Sequence, residues 1–338
     1  MKHGEWVSTF EREFAEYVGA QYAIAMTNGT VTLEVALRAA GVQQGGFVVT
    51  TPLTMSATSI AVLNVGARPV YNDIDPKTWL LTANRGMPSL VVSLYGLHAP
   101  ASEALWIDDA AQTVRKHRAT AFTSYSFQRS KILHTGEGGM LVTNDLELAT
   151  RARSIASLGY DLAATQSRID VSAIKSPHAT RHVRWPAINA RMNDVTAQEG
   201  VRKMPQLPQI QQQRRMAADL YRTAITGYDW LTPQYVPDGW QHDYWCYTVA
   251  LSDATAWRPL AEAIVRYGGE YPYGAWRLSF DEPALQYMGY GAGGCANARY
   301  MQPRLMQFQT NDPGQVSVNA QALRRALAEV HPTVAKSG

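Results

Sequence analysis

The sequence predicts an α/β fold with a mainly parallel sheet flanked by helices, on two observations. Short apolar runs of strand length, at 22–26, 47–50, 69–74, 90–94, 105–108, 121–127 and 140–143, alternate with helical stretches, and strands so separated join as parallel neighbours. The residues with chemical character, Asn28, Asp109, Ser126 and Lys131, fall at or just past the ends of those runs, where open α/β sheets bind ligands. Length agrees, because 338 residues have room for about two domains and a large core.

The first element is a helix. Phe10, Phe14, Tyr17 and Val18 share one face, and Ser8 and Glu11 have the spacing of a capping box. The strand at 22–26 meets Thr27, Asn28, Gly29 and Thr30 before a helical stretch from Val31 to Ala40 that stops at Gly41. After the strand at 140–143, Asp145 leads into a helix reaching about Leu158. Residues 159–188, with Pro177 and Pro186, are polar and irregular, as an active-site loop or dimer arm is. Residues 194–225 are helix-rich apart from Pro205 and Pro208; Tyr244 to Leu251 is a strand candidate and Asn319 to Val330 a closing helix. Two loops rich in glycine and aromatics, 268–276 and 289–294, suit either packing within the last third of the chain or stacking on a sugar or base ring.

Lys131 ends the run Tyr125-Ser126-Phe127-Gln128-Arg129-Ser130-Lys131 and precedes Gly136-Glu137-Gly138-Gly139, while Asp109 lies at an acidic strand end, Ile107-Asp108-Asp109. Together they read as a pyridoxal phosphate site. That cofactor needs an amine to hold its aldehyde as a Schiff base, and a carboxylate to keep its pyridine nitrogen protonated so that the ring acts as an electron sink. Either residue alone is an ordinary solvated charge. Ser126 adds a hydroxyl beside free backbone N–H groups. Asn28-Gly29-Thr30 adds an anion cradle, since glycine lets the backbone approach a phosphate and the first helical turn offers unpaired N–H groups at the positive end of its dipole. Read alone, the same residues are a tight turn with Thr30 as a cap.

In chain order, Asn28-Gly29-Thr30, Thr51-Pro52-Leu53-Thr54, Gly66-Ala67-Arg68-Pro69-Val70, Asp73-Ile74-Asp75-Pro76, Leu94-Tyr95-Gly96, Asp109-Ala110-Ala111-Gln112, Ser126-Phe127, Ser130-Lys131, Gly136-Glu137-Gly138-Gly139 and Thr143-Asn144-Asp145 resemble the DegT/StrS family of sugar aminotransferases, over about residues 10–225. No single element is specific; the ordered set is. The resemblance implies fold type I, the aspartate-aminotransferase-like class of pyridoxal phosphate enzymes. A large cofactor-binding domain would span 1–205 and a small C-terminal α+β domain 206–338. It implies that Lys131 holds the cofactor and moves the proton, that Asp109 pairs with the pyridinium nitrogen, and that Gln112 approaches the ring oxygen. Gly29, Thr30 and Ser126 would bind the phosphate. Asn189 and Arg191, in Ile188-Asn189-Ala190-Arg191-Met192, match a segment whose asparagine reaches the neighbouring subunit's phosphate and whose arginine meets the amino donor's carboxylate. A homodimer with shared active sites follows. The implied reaction passes an amino group, from glutamate, to a nucleotide-linked keto sugar in ping-pong fashion. Relatives that dehydrate sugars carry histidine in place of the lysine, so Lys131 points away from that chemistry. The alternatives are amination of a non-sugar ketone or cyclitol, and a non-catalytic cofactor-binding regulator; the intact set of Lys131, Asp109 and Gln112 opposes the latter.

Three positions depart from the family pattern. Met55 stands where an aromatic side chain usually stacks on the cofactor ring, and a thioether covers a ring face more loosely. Ser93 replaces a histidine before Leu-Tyr-Gly, and Ala190 replaces a tyrosine. The opening at Met1 and the short stretch between Asp75 and Ile107 suggest a trimmed version of the fold that keeps every cofactor residue.

Composition excludes several classes. At 46% hydrophobic and 17% charged the chain is ordinary for a globular protein, and without a leader or a bilayer-length apolar run it is expected in the cytosol. A net charge of +3 is too small to argue for nucleic acid, and the clusters 115–118 and 211–215 read as solvated faces. Cys246 and Cys295 are too few for a disulfide framework, and eight scattered histidines give no metal spacing.

Overall fold

The computed structural model describes residues 4–82, 87–98, 106–115, 117, 120–160, 183, 187–290 and 294–330. Helix α1 (Glu5–Val18) buries Phe10, Phe14 and Val18 as its sequence pattern requires, but it begins at Glu5, so the expected capping box is not formed. Ser8 lies inside the helix and its hydroxyl donates to the Gly4 carbonyl, while the helix start is capped from afar by the Asp194 carboxylate, which accepts from the Gly4 N–H at 2.6 Å. Glu11 instead accepts from the Ala25 N–H and pairs with Arg153 at 3.0 Å. The capping-box spacing was overridden because a buried strand edge needed an acceptor.

That edge is β1 (Tyr22–Met26). With β2 (Phe47–Thr50), β3 (Arg68–Tyr71), β4 (Ser89–Val92), β5 (Trp106–Asp109), β6 (Phe122–Ser126) and β7 (Gly139–Thr143) it forms a seven-stranded sheet in the order β1-β7-β6-β5-β4-β2-β3. Strands β6, β5, β4, β2 and β3 run parallel, and β7 alone is reversed against β6 and β1. All seven strands begin within two residues of their expected starts, because each is built on a short apolar run, most of them buried on both faces and the edge strand β3 partly exposed. Helices α2 (Gly29–Ala39), α3 (Ala57–Asn64) and α4 (Leu146–Ala156) pack one face through Leu33, Val35, Leu37, Ala61, Val62, Ala152 and Ile155, and α1 covers the other through Phe10, Phe14 and Tyr125.

Helix α5 (Asp194–Lys203) runs through a 3-10 turn at Met204–Gln206 into α6 (Leu207–Ile225), Pro205 and Pro208 sitting at the starts of these segments where a missing N–H costs nothing. The expected boundary between residues 205 and 206 falls inside that turn. A second sheet joins β8 (Leu231–Pro233), β9 (Cys246–Leu251), β10 (Tyr273–Gly274) and β11 (Leu305–Gln309) in the antiparallel order β10-β11-β9-β8. Between them lie α7 (Trp257–Arg266), α8 (Pro283–Tyr287) and α9 (Ala296–Met301), and α10 (Pro313–Glu329) closes the described chain. One face of this sheet packs on α6, α7 and α10 through Tyr247, Val249, Leu260, Phe308 and Leu323. Its other face, Cys246, Ala250 and Leu305, joins Leu53, Trp79, Leu94 and Tyr95 in a core shared with the first sheet. Strand β9 is therefore apolar on both sides.

In both basic clusters some of the described residues turn inward, while Gln212 and Arg215 stay exposed. Arg115 pairs with the fully buried Asp243 at 2.6 Å; Gln211 donates to the same carboxylate, and buried Arg214 donates to the Trp245 carbonyl and the Thr310 hydroxyl. A buried carboxylate needs cationic and amide partners, and these residues supply them. The polar stretch 159–188 lies almost wholly outside the described residues.

Candidate active site

The parallel strands end on one side of the first sheet, and the turns that follow them enclose a cavity of about 600 Å³. Its wall includes Gly29, Thr30, Met55, Asp109, Gln112, Ser126 and Lys131, seven of the nine residues singled out from sequence. Asn189 and Arg191 are not part of it. They lie exposed on a segment that runs beside the end of β1, where Met26 faces Arg191 and the Thr27 N–H donates to the Ala190 carbonyl.

The end of β1 sets the anion cradle. Asn28 is extended and caps α2, its side chain accepting from the Val31 N–H at 2.9 Å, so the helix starts at Gly29, two residues earlier than its sequence pattern suggests. Gly29 and Thr30 occupy the first turn, whose N–H groups have no partner within the helix. Glycine is required here for space: a Cβ on Gly29 would stand 2.8 Å from the Ser126 Cβ and 3.1 Å from its Oγ. Likewise a Cβ on Gly139 would stand 2.7 Å from the backbone of Asn28, which accounts for the last glycine of Gly136-Glu137-Gly138-Gly139. The first turn of α2, the Ser126 hydroxyl and the start of β7 thus converge on one spot.

Asp109 and Asp108 end β5 and point to opposite faces. Asp108 accepts from Ser93 and bonds to the His98 imidazole, each at 2.8 Å, away from the cavity, which gives the departure at Ser93 a structural role. Asp109 faces the cavity, where its carboxylate accepts from the Thr58 hydroxyl at 2.8 Å and from the Ala111 N–H at 3.2 Å. Burial pushes its carboxyl above the ordinary carboxylate range, against the pull of Thr58, Ala111 and the Lys131 ammonium. Lys131 shows the converse: burial lowers its ammonium pKa, and Asp109 and Cys246 resist. A buried carboxyl and a buried amine sharing one cavity are each driven toward neutrality unless a partner of opposite charge enters between them. Gln112 presents its amide nitrogen, because its oxygen accepts from the Tyr95 N–H. Met55 is 49% exposed at the rim, so nothing in the single chain presses it onto a ligand.

Sequence reasoning missed Thr58, Trp245 and Trp276. The Lys131 ammonium lies 5.1 Å from the centre of a Trp245 ring, and Trp276 stacks on Trp245 at 6.0 Å. Trp276 belongs to the aromatic loop 268–276, so a signal for it existed; Trp245 was hidden inside an apolar strand pattern, and Thr58 carried no signal at all. Among the described residues there is no group of histidine, cysteine and carboxylates fit to hold a metal.

A strand-end cavity pairing a half-buried lysine with a buried aspartate beside a helix N-terminus fits the fold type I class of pyridoxal phosphate enzymes, and the comparisons agree with that class. The structure superimposes on the aminotransferase TlmJ from Streptoalloteichus hindustanus with a TM-score of 0.81 at 24% identity, over 97% of this chain and 92% of that one. It superimposes on the PMP form of a putative sugar aminotransferase, Spr1654, from Streptococcus pneumoniae with a TM-score of 0.83 at 16% identity, over 97% and 93%. The family model of the DegT/DnrJ/EryC1/StrS aminotransferases matches residues 1–85 and 101–271. The spore coat polysaccharide biosynthesis protein SpsC of Bacillus subtilis is 31% identical over 81% of this chain and 75% of its own length. GDP-perosamine synthase of Caulobacter vibrioides is 30% identical over 74% and 70%. UDP-2-acetamido-2-deoxy-3-oxo-D-glucuronate aminotransferase of Pseudomonas aeruginosa is 36% identical over 51% and 56%. This chain belongs to the DegT/DnrJ/EryC1/StrS aminotransferase family.

Proposed function

We propose that this chain is a pyridoxal phosphate-dependent aminotransferase that transfers an amino group, from glutamate, to a nucleotide-linked keto sugar by a ping-pong mechanism. The observation that carries the reading is the convergence of Lys131, Asp109 and the Gly29–Ser126 cradle in one cavity. The residues fit the cofactor on grounds of charge and space: a cradle kept open by glycine for an anion, a buried carboxylate for a cationic ring nitrogen, and a buried amine for an aldehyde. When bound, the cofactor supplies the electron sink for breaking a bond at the substrate's alpha carbon.

The protein's own contributions follow from its geometry. The first turn of α2 and the Ser126 hydroxyl would hold the phosphate, and Thr58 and the Ala111 N–H fix the Asp109 carboxylate that would pair with the ring nitrogen. An entering cation returns Asp109 to its ionised form, reversing the upward push of burial. Lys131 Nζ would hold the cofactor's aldehyde and, when free, would serve as the base that moves a proton at the substrate carbon, aided by an ammonium pKa that burial has lowered. Gln112 Nε2 donates toward the ring oxygen. Asn189 and Arg191 act across a homodimer interface, and the division into domains at residues 205 and 206 places α6 at the start of the small domain. Nucleotide-sugar chemistry is supported by relatives named for GDP-, UDP- and dTDP-linked compounds. No described helix is long and apolar enough to cross a membrane, and the enzyme is assigned to the cytosol on its sequence.

The test is an absorption spectrum of the purified protein with pyridoxal phosphate, before and after glutamate. A visible band from the lysine-bound cofactor that gives way to a near-ultraviolet band supports the reading, and Lys131→Ala abolishes the first band. A band that forms and ignores every amino donor overturns the aminotransferase assignment.

A further inference from the structure

The cavity holds an aromatic surface that the cofactor roles leave unused. Trp245 and Trp276 are its only aromatic lining residues among those described, and Met55 stands where ring cover would come from. The two indoles belong to a column. Tyr95, fully buried, stacks on Trp276 at 6.2 Å and 20°, and Trp276 stacks on Trp245 at 6.0 Å and 23°. The Trp245 indole N–H donates to the Ser130 carbonyl at 2.8 Å, tying the column to the residue before Lys131. Gly96 permits this assembly, because a Cβ there would stand 2.7 Å from the Tyr244 and Trp245 backbone nitrogens. Three separate parts of the chain thus build one rigid, half-buried aromatic wall beside the reacting amine.

Resting on the aminotransferase reading above, we propose that Trp245 and Trp276 are the wall on which the acceptor's sugar ring docks, so that they select the keto sugar. What lies beside Lys131 Nζ must be the reacting end of the acceptor, and in a nucleotide sugar that end is the pyranose, with the base removed by the length of the diphosphate. A pyranose offers a face of C–H groups, and the matching flat, electron-rich surface is the face of Trp245 turned away from Trp276, which lies between Trp245 and Tyr95 and backs that face. The Lys131 ammonium lies over the Trp245 ring, 5.1 Å from a ring centre, so the reacting amine and the docking face adjoin.

The experiment compares Trp276→Leu, Trp276→Phe and Trp245→Phe with the wild-type holoenzyme. The donor half-reaction with glutamate is followed by absorbance, cofactor affinity by titration, and discharge of the aminated enzyme with UDP-2-acetamido-2-deoxy-3-oxo-D-glucuronate and dTDP-4-dehydro-2,3,6-trideoxy-D-glucose. Expected is a rise in acceptor KM of roughly 3- to 10-fold for Trp276→Leu, largely restored in Trp276→Phe, with the donor half-reaction changed far less. An equal loss in cofactor affinity would assign the indoles to covering the cofactor ring and overturn the proposal, as would an unchanged acceptor KM. A wild-type enzyme that completes the donor half-reaction but is discharged by neither sugar nucleotide also overturns it, while leaving the aminotransferase reading standing.

Discussion

Replacing Gly29 by alanine tests the phosphate cradle most directly. The added Cβ would lie 2.8 Å from the Ser126 Cβ, 3.1 Å from its Oγ and 3.4 Å from its Cα. Carbon atoms are comfortable at about 3.5–4.0 Å, so the two segments must part by roughly 0.7 Å or more. Neither yields easily: Ser126 ends a central strand and pairs with Gly139, and Asn28 is pressed against Gly139 in turn. Overpacking of this kind costs about 1–3 kcal/mol. If the separation is taken in the cradle, pyridoxal phosphate affinity falls about 5- to 150-fold. The assay is a spectrophotometric titration run in parallel with pyridoxal, which lacks the phosphate. Affinity for pyridoxal should change much less. Ser126→Gly removes the clashing atoms, so the double variant should lose less than the sum of the two single variants. Equal weakening of both ligands, or strict additivity, would refute the cradle.

Asp109→Asn keeps the shape and the Thr58 contact but removes the charge, so the donor half-reaction should slow by about 100- to 1000-fold in stopped-flow absorbance, with little loss of cofactor binding. Gly96→Ala meets backbone on two sides at a φ of 108°, and should lower stability by about 2–6 kcal/mol in urea unfolding; a loss below 1 kcal/mol would mean the loop shifts freely. His242 donates from Nε2 to Gln234 and accepts the Tyr244 N–H at Nδ1, and burial lowers its pKa from 6.5 to about 3. Between those values the unfolded chain takes up a proton that the folded chain refuses. Its contribution is therefore lost as pH falls from about 6.5 toward 3, by at most about 1.4 kcal/mol per pH unit. The stability difference between wild type and His242→Gln should shrink over that window, and a constant difference from pH 7 to 4.5 would contradict the neutral imidazole.

The sheet was legible because its strands are short apolar runs, most of them buried on both faces, so periodicity and chemistry agreed from Tyr22 to Thr143. The cofactor cavity was legible for a related reason: its residues sit at strand ends, and strand ends can be located from sequence. What failed was local logic overruled at long range. Ser8 and Glu11 looked like a cap because their spacing is right, yet Glu11 was claimed by the buried edge of β1. Arg115 and Gln211 looked solvated because nothing nearby in sequence announces Asp243, whose burial draws them in. Trp245 was hidden for the opposite reason, since an indole inside an apolar strand pattern is indistinguishable from core. Contacts between separate segments of the chain leave no trace in either segment alone.

The charge inventory of the cavity carries the last step. Its charged lining residues among those described are Lys131, Asp109 and Glu137, two carboxylates against one amine. The proposed ligands are a phosphate, a dicarboxylate donor and a nucleotide diphosphate, all anionic. The terminus of α2 offers the equivalent of about half a positive charge, and Lys131 is engaged with the cofactor. Enclosing the remaining anions without cations would cost several kcal/mol each. Among the described residues, one chain brings no cation besides Lys131 to this cavity. Arg191 stands exposed beside the end of β1, outside its own cavity. A second copy that brings an Arg191 to each cavity resolves both observations at once. On that proposal, Arg191→Ala subunits mixed with Lys131→Ala subunits recover activity in the mixed dimer, whereas activity confined to wild-type chains would place the missing cations elsewhere.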